Sequence, residues 1–380
     1  MKTLKNGLAL SGGGFRATLY ALGSLIRLNE DGLLTELDTI TAVSGGAITA
    51  GFLMLNWHKL KFEKLDGYER RSIARNFEEV IAHPLLDFCS KTITSKKRII
   101  LHTLTPWTTP VKKVEEKYNI FLFGDIKLKD VKKNENMPEF VFYATNLDTG
   151  ASVRISDGYI RDYNIGIGRG HNITLAQAVA ISSAFPPFLS PIELDGSNYH
   201  WENEYNTKLP NEEIEKLRGR LSLCDGGLYD NLGLEMLWKH GPKKEYGVVF
   251  CCDSGSPLSK LRDKNNHSKR NWLSRSIRAS DIMINQQRAL RKRILVRNYL
   301  GKEYIGTYWS IENKIIKGED CIIPNAEIEE YNELHNLSTQ LKGFGCETNK
   351  KVVNIGYFHT DKSLNTHYKT GLSVSAKLPF

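Results

Sequence analysis

The sequence predicts an α/β fold of three layers, with helices on both faces of a mainly parallel central sheet, and three observations carry that expectation. Short apolar runs of strand length alternate with helical patterns along much of the chain. Residues 8–52 read as strand, helix, strand and helix in immediate succession. Both strands of that stretch run directly into glycine turns, Gly12-Gly13-Gly14 after the first and Ser44-Gly45-Gly46 after the second.

The elements follow in order. Residues 8–10 form an apolar strand, and residues 18–28 place Leu19, Leu22, Leu25 and Ile26 at helical spacing. Residues 40–43 are a second buried strand, and residues 47–57 a second apolar helix. From Gly14 to Ser44 the chain is about as long as one β-α-β unit. Such a unit brings the glycine loop and Ser44 to the same carboxyl edge of the sheet, where ligands bind in open α/β folds.

Those two turns suit acyl chemistry. A serine between small residues on a sharp strand-to-helix turn holds its hydroxyl clear of the backbone. The five residues are Ala42-Val43-Ser44-Gly45-Gly46, so alanine stands where the first glycine of such an elbow is usual. Gly12, Gly13 and Gly14 lack Cβ atoms, so their N–H groups can approach an oxyanion formed when Ser44 attacks a carbonyl. Alone, a glycine turn after a strand is more often a phosphate cradle, and a Ser-Gly turn is frequent by chance. Their pairing across one unit favours a nucleophile with its oxyanion hole.

Composition sets the frame. The chain has 380 residues, 41% hydrophobic and 25% charged, which is the profile of a globular protein. One domain over residues 1–380 is expected, with insertions at about 58–138 and 196–220 and a C-terminal extension at about 300–380. There is no charge-free apolar run long enough to span a bilayer. The first strand begins by Leu8, which leaves no room for a signal peptide, and a cytoplasmic location is expected. Cys89, Cys224, Cys251, Cys252, Cys321 and Cys346 contain no C-x-x-C pair, so they read as reduced, buried thiols without a metal site. A net charge of +9 suggests attraction to an anionic surface.

Further along, residues 59–80 form a mixed-charge stretch expected to be helical. In residues 95–107, Lys96, Lys97 and Arg98 precede an apolar run ending at Trp107, a pattern that suits a lipid interface or, more simply, an element with a solvated basic start. Residues 139–146 are a strand paired with residues 152–155 through the Asp148-Thr149-Gly150 turn. Residues 174–183 form a small-residue helix stopped by Pro186-Pro187, and residues 196–220 a polar surface excursion. Residues 221–224 are a strand entering Asp225-Gly226-Gly227, residues 228–238 a helix, and residues 246–252 another buried strand. After a loop over 253–270, a helix over 272–295 carries Arg275, Arg278, Arg288, Arg291, Lys292 and Arg293. No nucleic-acid-binding motif accompanies it, so a solvated face, or one aimed at anionic lipid or a nucleotide, is the better reading. Residues 302–311 are a strand, 327–341 a helix, and the last 30 residues look irregular.

A serine hydroxyl needs an adjacent base. His240, His335, His359 and His367 lie downstream of Ser44, yet none sits in a glycine-rich loop after a strand. Asp225 does sit at a strand end before two glycines, although Asp-Gly-Gly is also a common plain turn.

The ordered blocks SGGGFRA, AVSGGA, SSAFPPFLSP and DGGLYDNLG resemble those of patatin-like phospholipases from about Asn6 to Gly255, with VNIGYFHTDKSL similar to that family's closing segment. The resemblance implies a patatin-like sandwich and a Ser-Asp dyad, with Ser44 as nucleophile and Asp225 as base. It implies an oxyanion hole from Gly12, Gly13 and Gly14 with Arg16 in the family's basic position, Gly45, Gly46, Gly226 and Gly227 as supporting turns, and no cofactor. The substrates would be membrane phospholipids reached from the inner membrane face. Some bacterial members of the family are anti-phage effectors switched on by cyclic nucleotides, and the basic helix after Trp272 is consistent with such an activator; a homo-oligomer is a further expectation. Two other readings stand beside this one: a histidine-dependent esterase acting on small soluble esters, and a non-catalytic pseudo-hydrolase that binds a nucleotide or phosphate.

Overall fold

The computed structural model describes residues 4–93, 110–134, 136–189, 191–204, 209–238, 244–255, 257–258, 272–318, 321–369 and 375–380. The basic-apolar stretch at 95–107, most of the 253–270 loop and His240 lie outside the described residues.

In chain order the strands are β1 (Lys5–Leu10), β2 (Thr39–Ala42), β3 (Phe62–Lys64), β4 (Ser72–Ala74), β5 (Glu139–Asn146), β6 (Ser152–Ile155), β7 (Ile160–Asp162), β8 (Gly166–Arg169), β9 (Ile192–Leu194), β10 (His200–Glu202), β11 (Leu221–Asp225), β12 (Tyr246–Asp253) and β13 (Ile305–Ser310). The helices are α1 (Gly14–Glu30), α2 (Gly45–Asn56), α3 (His83–Cys89), α4 (Pro110–Tyr118), α5 (Leu175–Ser182), α6 (Asn211–Gly219), α7 (Gly227–Asp230), α8 (Glu235–Trp238), α9 (Trp272–Leu300), α10 (Ile328–Glu333) and α11 (Cys346–Ser363).

Among the described residues, all strands except the β3–β4 hairpin join one mixed sheet, in the order β10-β8-β7-β6-β5-β2-β1-β12-β13, with β11 beside β5 and β9 beside β11. The five strands from β5 to β13 pair in parallel, and the wing from β6 to β10 is antiparallel. The three-layer α/β sandwich expected from the sequence is therefore the observed fold, with its parallel region confined to these five strands. Side-chain alternation defines the layers. Leu8 and Leu10 enter the large core with Phe15, Leu22 and Ile48, whereas Ala9 enters a smaller core with Leu234, Leu237 and Leu295.

The β1–α1–β2–α2 unit is observed as expected. Elsewhere several elements differ. Residues 59–80 are not one helix: β3 and β4 form an antiparallel hairpin whose turn holds Gly67 at φ 82, in the left-handed region where a helix cannot continue. The side chain of Asn29 locks this hairpin by bonding the Ala74 N–H and carbonyl at 2.9 and 3.1 Å. The 196–220 segment contributes β10 to the sheet edge and carries α6. The 228–238 helix is broken in two, because the Asp230 carboxylate accepts the Leu232 and Glu235 N–H groups. The helix expected over 327–341 ends after α10 and a short 3-10 turn, where Arg16 draws the His335 and Leu337 carbonyls away from helical partners.

The largest departure is at the C-terminus, where α11 is a regular helix buried against α1. It carries Val352, Val353, Ile355, Tyr357 and Phe358 around several faces, so no amphipathic stripe marks it in the sequence. The two helices touch through glycines: a Cβ on Gly23 would lie 1.9 Å from the Val353 carbonyl oxygen, and one on Gly356 2.2 Å from that of Tyr20. The buried Arg27 binds Asp31 and Asp361 at 3.0 and 2.8 Å and ties the ends of the pair together. The thiols are not uniformly buried, since Cys321 is half-buried and Cys346 exposed.

Candidate active site

The strand order brings Ser44 and Asp225 together by a device different from two strands ending side by side. Strand β2 pairs with β5 in parallel through Ala42 and Phe142, while β11 pairs with β5 antiparallel through Asp225 and Ala144. Strand β6 occupies the other edge of β5 across the same residues. β2 and β11 therefore share one edge of β5 and meet head-on, two residues apart in its register. The two turns that follow face each other across that gap, and Ser44 and Asp225 line one cavity, with the Ser44 hydroxyl near enough to favour the Asp225 carboxylate.

Ser44 precedes α2 with φ 50 and ψ −116, a conformation that is strained for a residue with a side chain. The surroundings hold it there. The Ser44 N–H donates to Ser182 Oγ at 2.9 Å. A Cβ on Gly45 would stand 2.0 Å from the Gly14 carbonyl oxygen, and one on Gly46 2.6 Å from that of Leu10. Replacing Gly45 by Ala is thus expected to cost roughly 2–4 kcal/mol, read as a fall in melting temperature, and to misplace the serine. A Gly45→Ala protein as stable and as active as its parent would contradict this packing.

Asp225 is buried at 3% exposure, and burial lifts its carboxyl from 3.8 to about 7 against the opposing pull of the Gly227 N–H and the Ser44 hydroxyl. The Gly227 N–H bond is 2.7 Å long. Gly226 packs on the Tyr143 carbonyl, which its missing Cβ would meet at 2.6 Å. Asp225 is thereby a carboxylate whose basicity lies near neutrality, with one oxygen held by backbone.

The glycine loop divides in its roles. The Gly12 N–H donates to the Asn231 carbonyl at 3.0 Å, so Gly12 is not the free donor expected from the sequence. Gly13 and Gly14 open α1 and Gly45 opens α2, where the first N–H groups have no intrahelical acceptor. The two positive helix ends converge, as the near contact of Gly45 with Gly14 shows, and together they favour negative charge beside Ser44. Arg16 also takes a role other than the expected one. Its guanidinium is fully buried and donates to the carbonyls of His335, Leu337 and Ser254 at 2.9, 2.7 and 2.6 Å. It does not line the cavity, and burial together with the nearby Arg288 pushes its pKa down to about 10. Arg16 thus braces the site instead of joining the oxyanion hole.

These groups open onto a cavity of about 530 Å³. Phe185, Phe188 and Leu189 line one part of it, and Arg278, Asn285 and Arg288 of α9 another. The most basic helix of the chain is therefore a wall of the site and not simply a solvated face. Arg288 binds the buried Asp253 and Glu312, and Arg291 binds Glu235 at 2.7 Å. Asp253 also accepts the Gly255 N–H and the Tyr308 hydroxyl. With its oxygens so engaged it is a counter-charge for Arg288, which distinguishes it from Asp225.

Among the downstream histidines, His335 lines the cavity, with Nδ1 2.6 Å from the Asn332 carbonyl. His359 is buried 3.0 Å from the Tyr20 hydroxyl between α1 and α11, with burial pushing its pKa down to about 3. His367 is exposed. Ser182, Asn231 and the Asp253–Arg288 pair were missed from the sequence. The SSAFPP and DGGLYDNLG blocks contain the first two, but Arg288 reaches Asp253 across a separation that no local pattern reveals.

A family model described as "Patatin-like phospholipase" matches residues 8–238. Among solved structures the chain is similar to human GIVD cytosolic phospholipase A2, with 12% identity and a TM-score of 0.55, covering 95% of this chain and 59% of that one. The same human enzyme in complex with methyl gamma-linolenyl fluorophosphonate gives 12% identity, a TM-score of 0.52, and coverage of 95% and 58%. VipD from Legionella pneumophila gives 16% identity, a TM-score of 0.40, and coverage of 96% and 67%. The chain thus spans less than two thirds of the length of the human enzyme, and at these identities the likeness concerns the fold. No curated protein matches.

Proposed function

The chain belongs to the patatin-like phospholipase family, and from that premise we propose that it is a serine acyl hydrolase that cleaves fatty-acyl esters of membrane phospholipids. The observation that carries the reading is the convergence of Ser44 and the buried Asp225 carboxylate on one cavity, beside two converging helix N-termini. In this reading Asp225 takes the Ser44 proton as Oγ attacks the ester carbonyl. The N–H groups of Gly13, Gly14 and Gly45 receive the oxyanion, each good donor contributing about 3–4 kcal/mol. Asp225 returns the proton to the departing alcohol, leaving an acyl-Ser44. Water then attacks the acyl carbon as Asp225 takes its proton, the acyl–Oγ bond breaks as Asp225 passes that proton to Ser44, and the fatty acid leaves with the serine hydroxyl restored.

The sign of the pH dependence follows. Asp225 acts as a base only when ionised, so kcat/KM on a short soluble ester should rise with pH and level off above about 7. A profile flat from pH 5 to 9 would contradict it. A fluorophosphonate should also block the enzyme and mark Ser44, as mapped by peptide mass. His335→Gln is expected to retain activity within a few-fold; its loss would favour the histidine-dependent esterase instead, since His335 shares the cavity.

A finer reading makes the protein an effector in antiviral defence, acting at the inner membrane face when a cyclic nucleotide switches it on. Its support is the basic α9 wall beside the cavity. A panel of cyclic di- and trinucleotides tests it: binding with a rise in fatty-acid release supports it, and neither binding nor altered release removes it.

A further inference from the structure

Helix α9 has two unlike faces. Its inner face holds the buried Arg288 and Leu295 and the half-buried Arg291, together with Asp281, Ile284 and Asn285 on the cavity wall. Its outer face is a continuous exposed stripe in which Arg275, Arg293 and Arg297 are interleaved with Ile282, Met283 and Leu290. These six positions fall within about a third of a turn when wound at 3.6 residues per turn. Asp281 is the only acidic residue in the helix, and it lies on the inner side.

We propose that the outer stripe of α9 is a docking surface for an anionic lipid bilayer. Exposed Ile, Met and Leu on a structured helix forgo burial in this chain, and flanking arginines direct such a surface to negative headgroups. The complement fits one occupant. A second copy would set one set of arginines against the same set, with no carboxylate on the stripe to offset them, whereas an anionic leaflet satisfies both the charges and the apolar side chains. The chain's net charge of +9 acts in the same direction. Because the same helix walls the cavity, adsorption through the stripe would bring the cavity within about one helix diameter, roughly 10 Å, of the headgroups. The proposal deepens the lipid-hydrolase reading, yet the surface can be tested apart from catalysis.

The test is co-sedimentation of the full chain carrying Ser44→Ala with sucrose-loaded vesicles, either of phosphatidylcholine alone or with added phosphatidylglycerol. Two variants are made in that protein and in the wild type: Arg275→Gln with Arg293→Gln and Arg297→Gln, and Ile282→Ser with Met283→Ser and Leu290→Ser. The expected result is binding that prefers phosphatidylglycerol, weakens with salt, and falls at least tenfold in each variant. Melting temperature and short-chain ester turnover should stay at the parent's values. Variants that bind like the parent, a parent indifferent to phosphatidylglycerol, or a dimer seen by sedimentation that either variant dissociates would each overturn the proposal. Vesicle binding with no ester turnover in the wild type would leave the surface standing and remove the hydrolase reading instead.

Discussion

Replacing Asp225 by Asn is expected to lower turnover by about 10²–10⁴-fold while making the folded protein more stable above neutral pH. Both effects come from one buried carboxyl. Asn retains an oxygen for the Gly227 N–H, so the turn should survive. It cannot take the proton of Ser44. The stability effect follows from linkage. The carboxyl is raised from 3.8 to about 7, so the folded chain holds its proton where the unfolded chain has released it. The contribution to stability is fully present below about 3.8, declines as pH rises, and is lost through about 7. Three units correspond to up to about 4 kcal/mol of penalty at pH 8, which Asn does not incur. Melting temperatures of parent and variant at pH 5 and pH 8 check this: the gap should open at pH 8. A variant that is inactive but destabilised at pH 8 would mean that Asp225 serves the fold and not the reaction.

The second large effect is at Ser44. Removing the hydroxyl should abolish turnover, a loss on the order of 10⁶-fold where a serine nucleophile is deleted. The choice of replacement separates chemistry from strain. At φ 50 alanine keeps the unfavourable backbone, whereas glycine adopts it freely. Ser44→Gly should therefore be more stable than Ser44→Ala by roughly 1 kcal/mol, although both are inactive. Equal stabilities would mean that the elbow is not strained.

Much of this was legible in the sequence because it is local. The β1–α1–β2–α2 unit, its two glycine turns and the Asp225-Gly226-Gly227 turn are written in consecutive residues, as short apolar runs of strand length that end in glycine turns and lead into apolar helical stretches. What was hidden depends on partners distant in sequence. α11 has apolar residues on most sides because it is buried against α1, so the periodicity that marks a surface helix is missing. The family resemblance places Arg16 with the oxyanion hole, and only the fold reveals carbonyls from Ser254, His335 and Leu337 around its guanidinium. Gly12 looks like its neighbours until the Asn231 carbonyl takes its N–H. The basic helix reads as a solvated face because Asp253, Glu312 and Glu235, which bind its inward arginines, come from elements far away along the chain. The head-on meeting of β2 and β11 also needs β5 as a shared template, and no single segment carries that information.

The most direct measurement is fatty-acid release from phospholipid vesicles by the wild type and by Ser44→Ala. The account predicts release by the wild type and none by the variant. Equal release by the two proteins would contradict it, because the acyl chemistry would then not pass through Ser44.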